Sequence, residues 1–317
     1  MIQEESVWEH GRVLVIGSAG MDVVGRLDGE LEAGTSNPAW IRSSFGGVGR
    51  NVAENLAHLG ASASLISAVG NDAVGGELLH HLTSVGVDTQ ALIRAPEYAT
   101  GAYLAVLDAA GNLRFALDDM RVMQAVTSAH LKQHAALFQN ADMLFLDANL
   151  SPQALRTAFS LARKARLPVV ADPTSAGLAE RLRPYLGRLY CIVPNAREAA
   201  VLTGVTFDEA DQNGALVAAR RLVAAGVEIA VITLAEFGLC YATAESSGYI
   251  PAIRTAVVDP TGAGDALTAA LIIALLNGIS LDDAMQLGVS AASLTLRHRG
   301  AVVPDLSLEK LYEYLVV

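Results

Sequence analysis

Val257-Val258-Asp259-Pro260-Thr261-Gly262-Ala263-Gly264-Asp265 leads without interruption into the apolar stretch Ala266–Leu276. The order is strand, tight turn, helix. Two glycines and an alanine at a helix start leave its first amides sterically open. With the positive end of the helix dipole, those unpaired donors make an anion site. A phosphate can approach the backbone of Gly262, Ala263 and Gly264, and Asp265 follows at the same mouth. There a carboxylate can take a proton from an attacking hydroxyl while the amides stabilise a transferring phosphoryl group. Spacing alone also fits a glycine turn whose Asp only caps the helix.

On either side of this string, β-branched runs alternate with helical patterns. Strands are expected at 12–17, 63–69, 143–147, 168–172, 191–193 and 229–234. Val52, Asn55, Leu56 and Leu59 have helical spacing and stop at Gly60. Residues 152–165, 208–225 and 263–276 read as further helices, with Ser151 and Asp208 as caps. The alternation predicts a mostly parallel sheet with right-handed crossovers and helices on both faces. Two stretches break it: 21–45, extended and rich in Gly and polar residues, and 99–120, with two strand-like runs around Ala110-Gly111-Asn112. Together they predict a small β lid inserted into one large α/β domain spanning residues 1–317, suited to excluding water from a reactive phosphate.

Composition narrows the classes. With 52% hydrophobic but only 5% aromatic residues, the core must be aliphatic, as in buried parallel strands. A net charge of -11 without a clustered basic run argues against polymeric nucleic acid and anionic membranes. It says nothing against ATP, which backbone amides and a metal ion can hold. Cys191 and Cys240 lie in apolar runs and supply neither a disulfide framework nor a zinc site. Met1–His10 carries three Glu and no apolar centre, unlike a signal peptide, and Ala266–Leu276 is too short to span a bilayer, so the cytoplasm is expected. No P-loop and no dinucleotide fingerprint occurs. His80 and His81 read as solvated helix-end residues, while His298, between Arg297 and Arg299, lies near a candidate adenine loop.

A second glycine-rich segment, Gly46-Gly47-Val48-Gly49-Arg50-Asn51-Val52-Ala53, opens the helix that stops at Gly60. Paired glycines allow close approach of a ligand, and the Asn51 amide offers a donor and an acceptor, suited to vicinal hydroxyls. The two segments, in this order, resemble the N- and C-terminal signatures of the ribokinase-like (PfkB) carbohydrate kinases, with Pro260 at a variable position of the second. The resemblance runs from Val13 to about Val303. It implies a three-layer ribokinase-like sandwich and an ATP-dependent kinase with Asp265 as general base and Gly262–Gly264 as anion hole. Asp22, just after the first strand, would grip sugar hydroxyls. Asn195 and Glu198, in an Asn-x-x-Glu element, would position Mg2+ and phosphate. Thr233 and Gly238 would contact the nucleotide, as would Asn195 and Gly264, although Ala235 stands where the family usually has Gly. Main-chain oxygens near Asp259 and Thr261 would hold a monovalent cation such as K+.

Within the family, Ser36-Asn37-Pro38, the Gly46–Asn51 segment and Asp118-Asp119-Met120 are most similar to bacterial pseudouridine kinases. That likeness implies 5′-phosphorylation of a nucleoside, with Asn37, Tyr103, Asp119 and Met120 as candidates for the wall around the base. A free-sugar kinase of ribokinase or fructokinase type is the alternative, and a catalytically silent nucleoside or sugar sensor the alternative of another class. A lid with an apolar outer face would also suit a homodimer.

Overall fold

The aliphatic runs become a sheet because helices cover them on both faces. The computed structural model describes residues 11–315, and the reading of Met1–His10 lies outside them. In chain order the strands are β1 (Arg12–Ile16), β2 (Gly20–Leu27), β3 (Ala39–Gly46), β4 (Ser62–Ile66), β5 (Ala68–Gly70), β6 (Ile93–Ala95) and β7 (Gly101–Leu107). They continue with β8 (Leu113–Asp119), β9 (Met143–Asp147), β10 (Val169–Asp172), β11 (Cys191–Ile192), β12 (Ile229–Thr233), β13 (Leu239–Ala242) and β14 (Ser247–Ile250). The large sheet has the order β14-β13-β12-β11-β10-β9-β1-β4. It is parallel from β4 to β12, with β13 and β14 added antiparallel.

Side-chain alternation divides the core in two. Leu14, Ile16, Leu144 and Leu146 pack against helices Pro152–Ala165 and Gln212–Ala224 on one face. Val13, Val15, Met143 and Phe145 pack against helices Val48–His58, Ala263–Leu276 and Leu281–Leu296 on the other. Helix Ala263–Leu276 is apolar all round because its two neighbours enclose it. It lies beside helix Val48–His58, so the two glycine-rich starts come together at one end of the sheet. Among the described residues no helix is long and apolar enough to cross a membrane.

A second sheet, β3-β2-β7-β8, is built from the two stretches that break the alternation. Gly20, Gly46 and Gly101 pair in one row at its base, and two positions along the strands Ser44, Asp22, Tyr103 and Asp118 pair in another.

Three local expectations are corrected. The run 63–69 splits into β4 and β5, since the buried Ser67 carbonyl takes the Ile93 amide and β5 turns to pair with β6. The helix expected at 208 begins at Gln212, because Asp211 rather than Asp208 receives the Gly214 amide and caps it. The helix read from Asn51 begins at Val48, one turn earlier.

Candidate active site

Gly262, at φ +80°, sets the start of helix Ala263–Leu276, and a Cβ there would sit 2.0 Å from the Ala301 carbonyl oxygen. Gly264 differs: a Cβ there would meet nothing within 4 Å, so its backbone faces open space. Gly46 leaves room for the Asp22 carboxylate, which a Cβ would meet at 2.2 Å. Helix Val48–His58 follows Gly47, at φ +94°. Across the junction, Asn51 Nδ2 donates to Asp265 Oδ2 at 2.7 Å, joining residues 214 positions apart.

The electrostatics follow from burial among like charges. Burial pushes Asp265 up to about 7, the Asn51 hydrogen bond opposes this, and the negative charges of Asp22 and Asp147 add to it. Burial pushes Asp22 up to about 6, against Arg50 and with Asp259. A carboxylate poised near neutrality, beside open helix amides, has the equipment to take a proton from a hydroxyl while a phosphoryl group is held.

A cavity of about 410 Å³ reaches Gly264 from the other side. Its walls bring together Asn195, Thr233, Gly238 and Gly264 with apolar Ile253, Leu267 and Val289. Thr233 and Asn195 are neighbours through a bridge between chain segments, with the Thr233 amide on the Pro194 carbonyl at 3.0 Å. Gly238, at φ +100°, leaves no room for a side chain, whereas Ala235 adopts φ +48° despite its Cβ. His298 is not among the residues lining this cavity.

The sequence profile of the pfkB family carbohydrate kinases matches residues 11–307. The chain belongs to this PfkB family. It is 35% identical over 301 residues to the pseudouridine kinase of Escherichia coli, covering 95% of each chain. It is 29% identical to the guanosine-inosine kinase of Exiguobacterium acetylicum, covering 93% of this chain and 98% of that one. Among solved structures it resembles Arabidopsis thaliana ribokinase complexed with ribose and ATP. The TM-score is 0.81 at 23% identity, over 97% of this chain and 99% of that one, so the fold is ribokinase-like. As a PfkB kinase the protein is an ATP-dependent phosphotransferase acting on a sugar or nucleoside.

In this PfkB kinase, the Asp259 carboxylate accepts the Thr261 amide at 3.1 Å and the Gly300 amide at 3.0 Å, which folds the loop around it. Asn195 and Glu198 form a reciprocal cap: the Asn195 side chain accepts the Glu198 amide at 3.0 Å, and Glu198 accepts the Asn195 amide at 2.9 Å. Burial pushes Glu198 up, and burial together with Glu198 and Asp265 pushes Asp172 well up. Such crowded carboxylates fit a divalent cation nearby. Among the described residues no three acidic, thiol or imidazole groups converge as a ligand cluster.

Some expected residues stand elsewhere. Asn37 closes the far loop of the β2–β3 hairpin: its Oδ1 accepts the Glu32 amide at 2.7 Å, and its Nδ2 donates to the Glu32 and Thr35 carbonyls. The hairpin end there is the Leu27–Ala39 pair, five positions beyond Asp22, so in this structure Asn37 stands away from Asp22. Its side chain is consumed by turn geometry. Asp119 projects from the sheet face opposite Asp22 and pairs with Arg121 at 2.5 Å, which pulls it down to about 2. Asp118, on the Asp22 face, is the acid aligned with Tyr103, and the Tyr103 hydroxyl is pushed up by burial, Asp22 and Asp118. Asp118, Asp119 and Met120 line a further cavity of about 710 Å³, with Arg121, Asn149 and Arg181.

Other functional groups were not read from the sequence. Asp147, fully buried at the end of β9, accepts the Ser18 amide at 2.7 Å, the Ser18 hydroxyl at 2.9 Å and the Gly49 amide at 3.2 Å. An acid ending an apolar strand at the carboxyl edge of a parallel sheet was the available signal, for Asp147 and Asp172 alike. His81 corrects the solvated reading: its Nε2 lies 3.0 Å from both Glu54 carboxylate oxygens, while His80 is exposed.

Proposed function

We propose that the protein transfers the γ-phosphoryl group of ATP to the 5′ hydroxyl of a nucleoside, with pseudouridine as its substrate and the cytoplasm as its compartment. The observation that carries this reading is the position of Asp265. It touches Asn51 on one side, and the turn before it opens at Gly264 onto the 410 Å³ cavity on the other. Asp22 and Asn51 grip the ribose, and the adenine end of ATP enters between Thr233, Gly238 and Val289. Asp265 takes the hydroxyl proton. The hydroxyl oxygen then bonds to the γ-phosphorus as its bond to the bridging oxygen of ADP breaks, and the Gly262–Gly264 amides receive the developing charge.

Mg2+, held through water near Asn195 and Glu198, would neutralise phosphate charge. A monovalent cation such as K+ would take main-chain oxygens near Asp259 and Thr261. A nucleoside rather than a free sugar is favoured by the 710 Å³ cavity beside Asp118 and by the 35% identity to a pseudouridine kinase. A homodimer through the small sheet is favoured by its outer face, where Ile41 and Leu117 are 73% and 63% exposed beside Leu104 and Phe115.

The test is ATP consumption by the purified chain with pseudouridine, uridine, guanosine, ribose and fructose. Pseudouridine 5′-phosphate is the expected product. Good turnover of ribose or fructose with pseudouridine untouched would make it a free-sugar kinase. Equal, negligible rates for wild type and Asp265→Ala across the panel would make it a sensor.

A further inference from the structure

Arg50 has no part in the chemistry above, yet its guanidinium is buried in the first turn of helix Val48–His58 with 5% of the side chain exposed. A buried cation is expensive unless its donors are placed. Nη1 donates to Asn51 Oδ1 at 2.7 Å and to the Phe45 carbonyl at 3.1 Å. Nη2 meets the Glu54 carboxylate and lies 3.3 Å from His81 Nε2. Glu54 is itself buried, and His81 and His58 flank it at 3.0 and 3.7 Å. Nε has no hydrogen-bond partner, so this placement does not satisfy the guanidinium fully. What the placement achieves is contact with Asn51.

A side-chain amide fits its site in two orientations of nearly equal shape that exchange donor for acceptor. Guanidinium only donates. With Oδ1 on Arg50, the Asn51 Nδ2 must face Asp265; the flipped amide would set N–H against guanidinium and oxygen against carboxylate. The other charged groups acting on Asp265 are acids: Asp22 from β2, Asp147 from β9 and Asp172 from β10. Arg50 opposes them from the helix.

We propose that Arg50 is a positioning residue: anchored by Glu54 and His81, it fixes the Asn51 amide with its N–H toward Asp265 and so keeps that carboxylate able to accept a proton. The consequence for catalysis rests on Asp265 being the general base.

The experiment follows the Asp265 carboxylate directly, by 13C NMR of aspartate-labelled protein across pH, with the resonance identified by its loss in Asp265→Asn. In Arg50→Met the midpoint is expected to rise by about one pH unit, as loss of one hydrogen-bonded cation nearby should produce. Arg50→Lys, which keeps the charge but not the fork, should fall between. Should Arg50→Met leave Glu54 stranded and unfold, the double variant Arg50→Met/Glu54→Gln removes both buried charges and must show the same rise. An unmoved midpoint in a folded variant overturns the inference. The reading of Asp265 as base fails separately, if Asp265→Asn turns over pseudouridine and ATP at the wild-type rate.

Discussion

Arg42 on β3 and Asp259 on the loop ahead of helix Ala263–Leu276 form an ion pair of 2.5 Å that joins the small sheet to the glycine turn. Asp259 is 2% exposed, and burial alone would push it up. Arg42 and the Gly300 and Thr261 amides outweigh burial and hold it below the usual carboxylate range. Arg42→Ala removes the cation and unties the sheet. Because Arg42 itself is partly exposed, the expected loss is about 1–2 kcal/mol, with a raised KM for the phosphoryl acceptor. A depressed carboxylate stabilises above its unfolded value, and that contribution disappears as pH falls through the folded one. The difference in Tm between variant and wild type should therefore be full above about pH 5 and shrink in acid. A constant difference down to strong acid would count against the pair.

Asp265 has the opposite sign. Its folded value, about 7, lies above the unfolded one, so wild-type stability falls as pH rises from about 4 through 7. Asp265→Asn keeps the acceptor for Asn51 and loses the charge. It should match wild type below about pH 4 and melt at a higher temperature above neutrality, while kcat/KM falls by roughly three to five decades. In wild type, kcat/KM should rise with pH through about 7. Calorimetry across pH, paired with initial rates, checks both halves.

Gly262 and Gly264 should separate folding from chemistry. Gly262→Ala must move the Ala301 backbone, and soluble yield and Tm should both drop. Gly264→Ala has space in the fold and gains about 1 kcal/mol of helix propensity. In the proposed reaction its methyl would stand in the path of the phosphate, so Tm should hold or rise while the KM for ATP climbs at least about tenfold, the effect of roughly 1.4 kcal/mol of lost binding. Equal ATP kinetics in Gly264→Ala and wild type would remove the turn from the nucleotide site.

Ala235 holds φ +48° at an exposed position of the loop after β12. Relieving a left-handed alanine is worth roughly 1–2 kcal/mol, and the more flexible unfolded chain returns part of it. Ala235→Gly should therefore stabilise by about 0.5–1 kcal/mol, read as a shift in urea midpoint at constant slope. A lower midpoint would mean that the loop is not strained there.

The main architecture was legible because its signals are local. Pro152–Ala165, Ala263–Leu276 and Met143–Asp147 were each bounded in the sequence as they are in the fold. The edge hairpin β13–β14 was not: its partners are set by the sheet it joins, and its residues show little alternation of burial. In the site, motif residues were legible where a backbone conformation demanded them, as at Gly262 and Gly238. Side chains defined by tertiary partners were not. Asp118 and Asp119 are adjacent in sequence, and only strand register tells which one shares a face with Asp22. His81 next to His80 looks like surface until helix Ala73–Ser84 brings it to Glu54. Asn37 carried a site-like residue type, and its own loop consumed it.

Asp147 ties the segment leaving β1 to the start of helix Val48–His58 through one buried carboxylate. The spacing between Ser18 and Gly49 thereby belongs to the frame of the large sheet, whatever the strands beyond it do. The row through Tyr103 to Asp118 belongs to the appended strands instead. Inheritance can act on these two parts unequally: substitutions along β7 and β8 can reshape the surroundings of Tyr103 and Asp118 while the two glycine-rich helix starts stay in register. A kinase scaffold divided in this way can acquire new acceptors without relearning its chemistry.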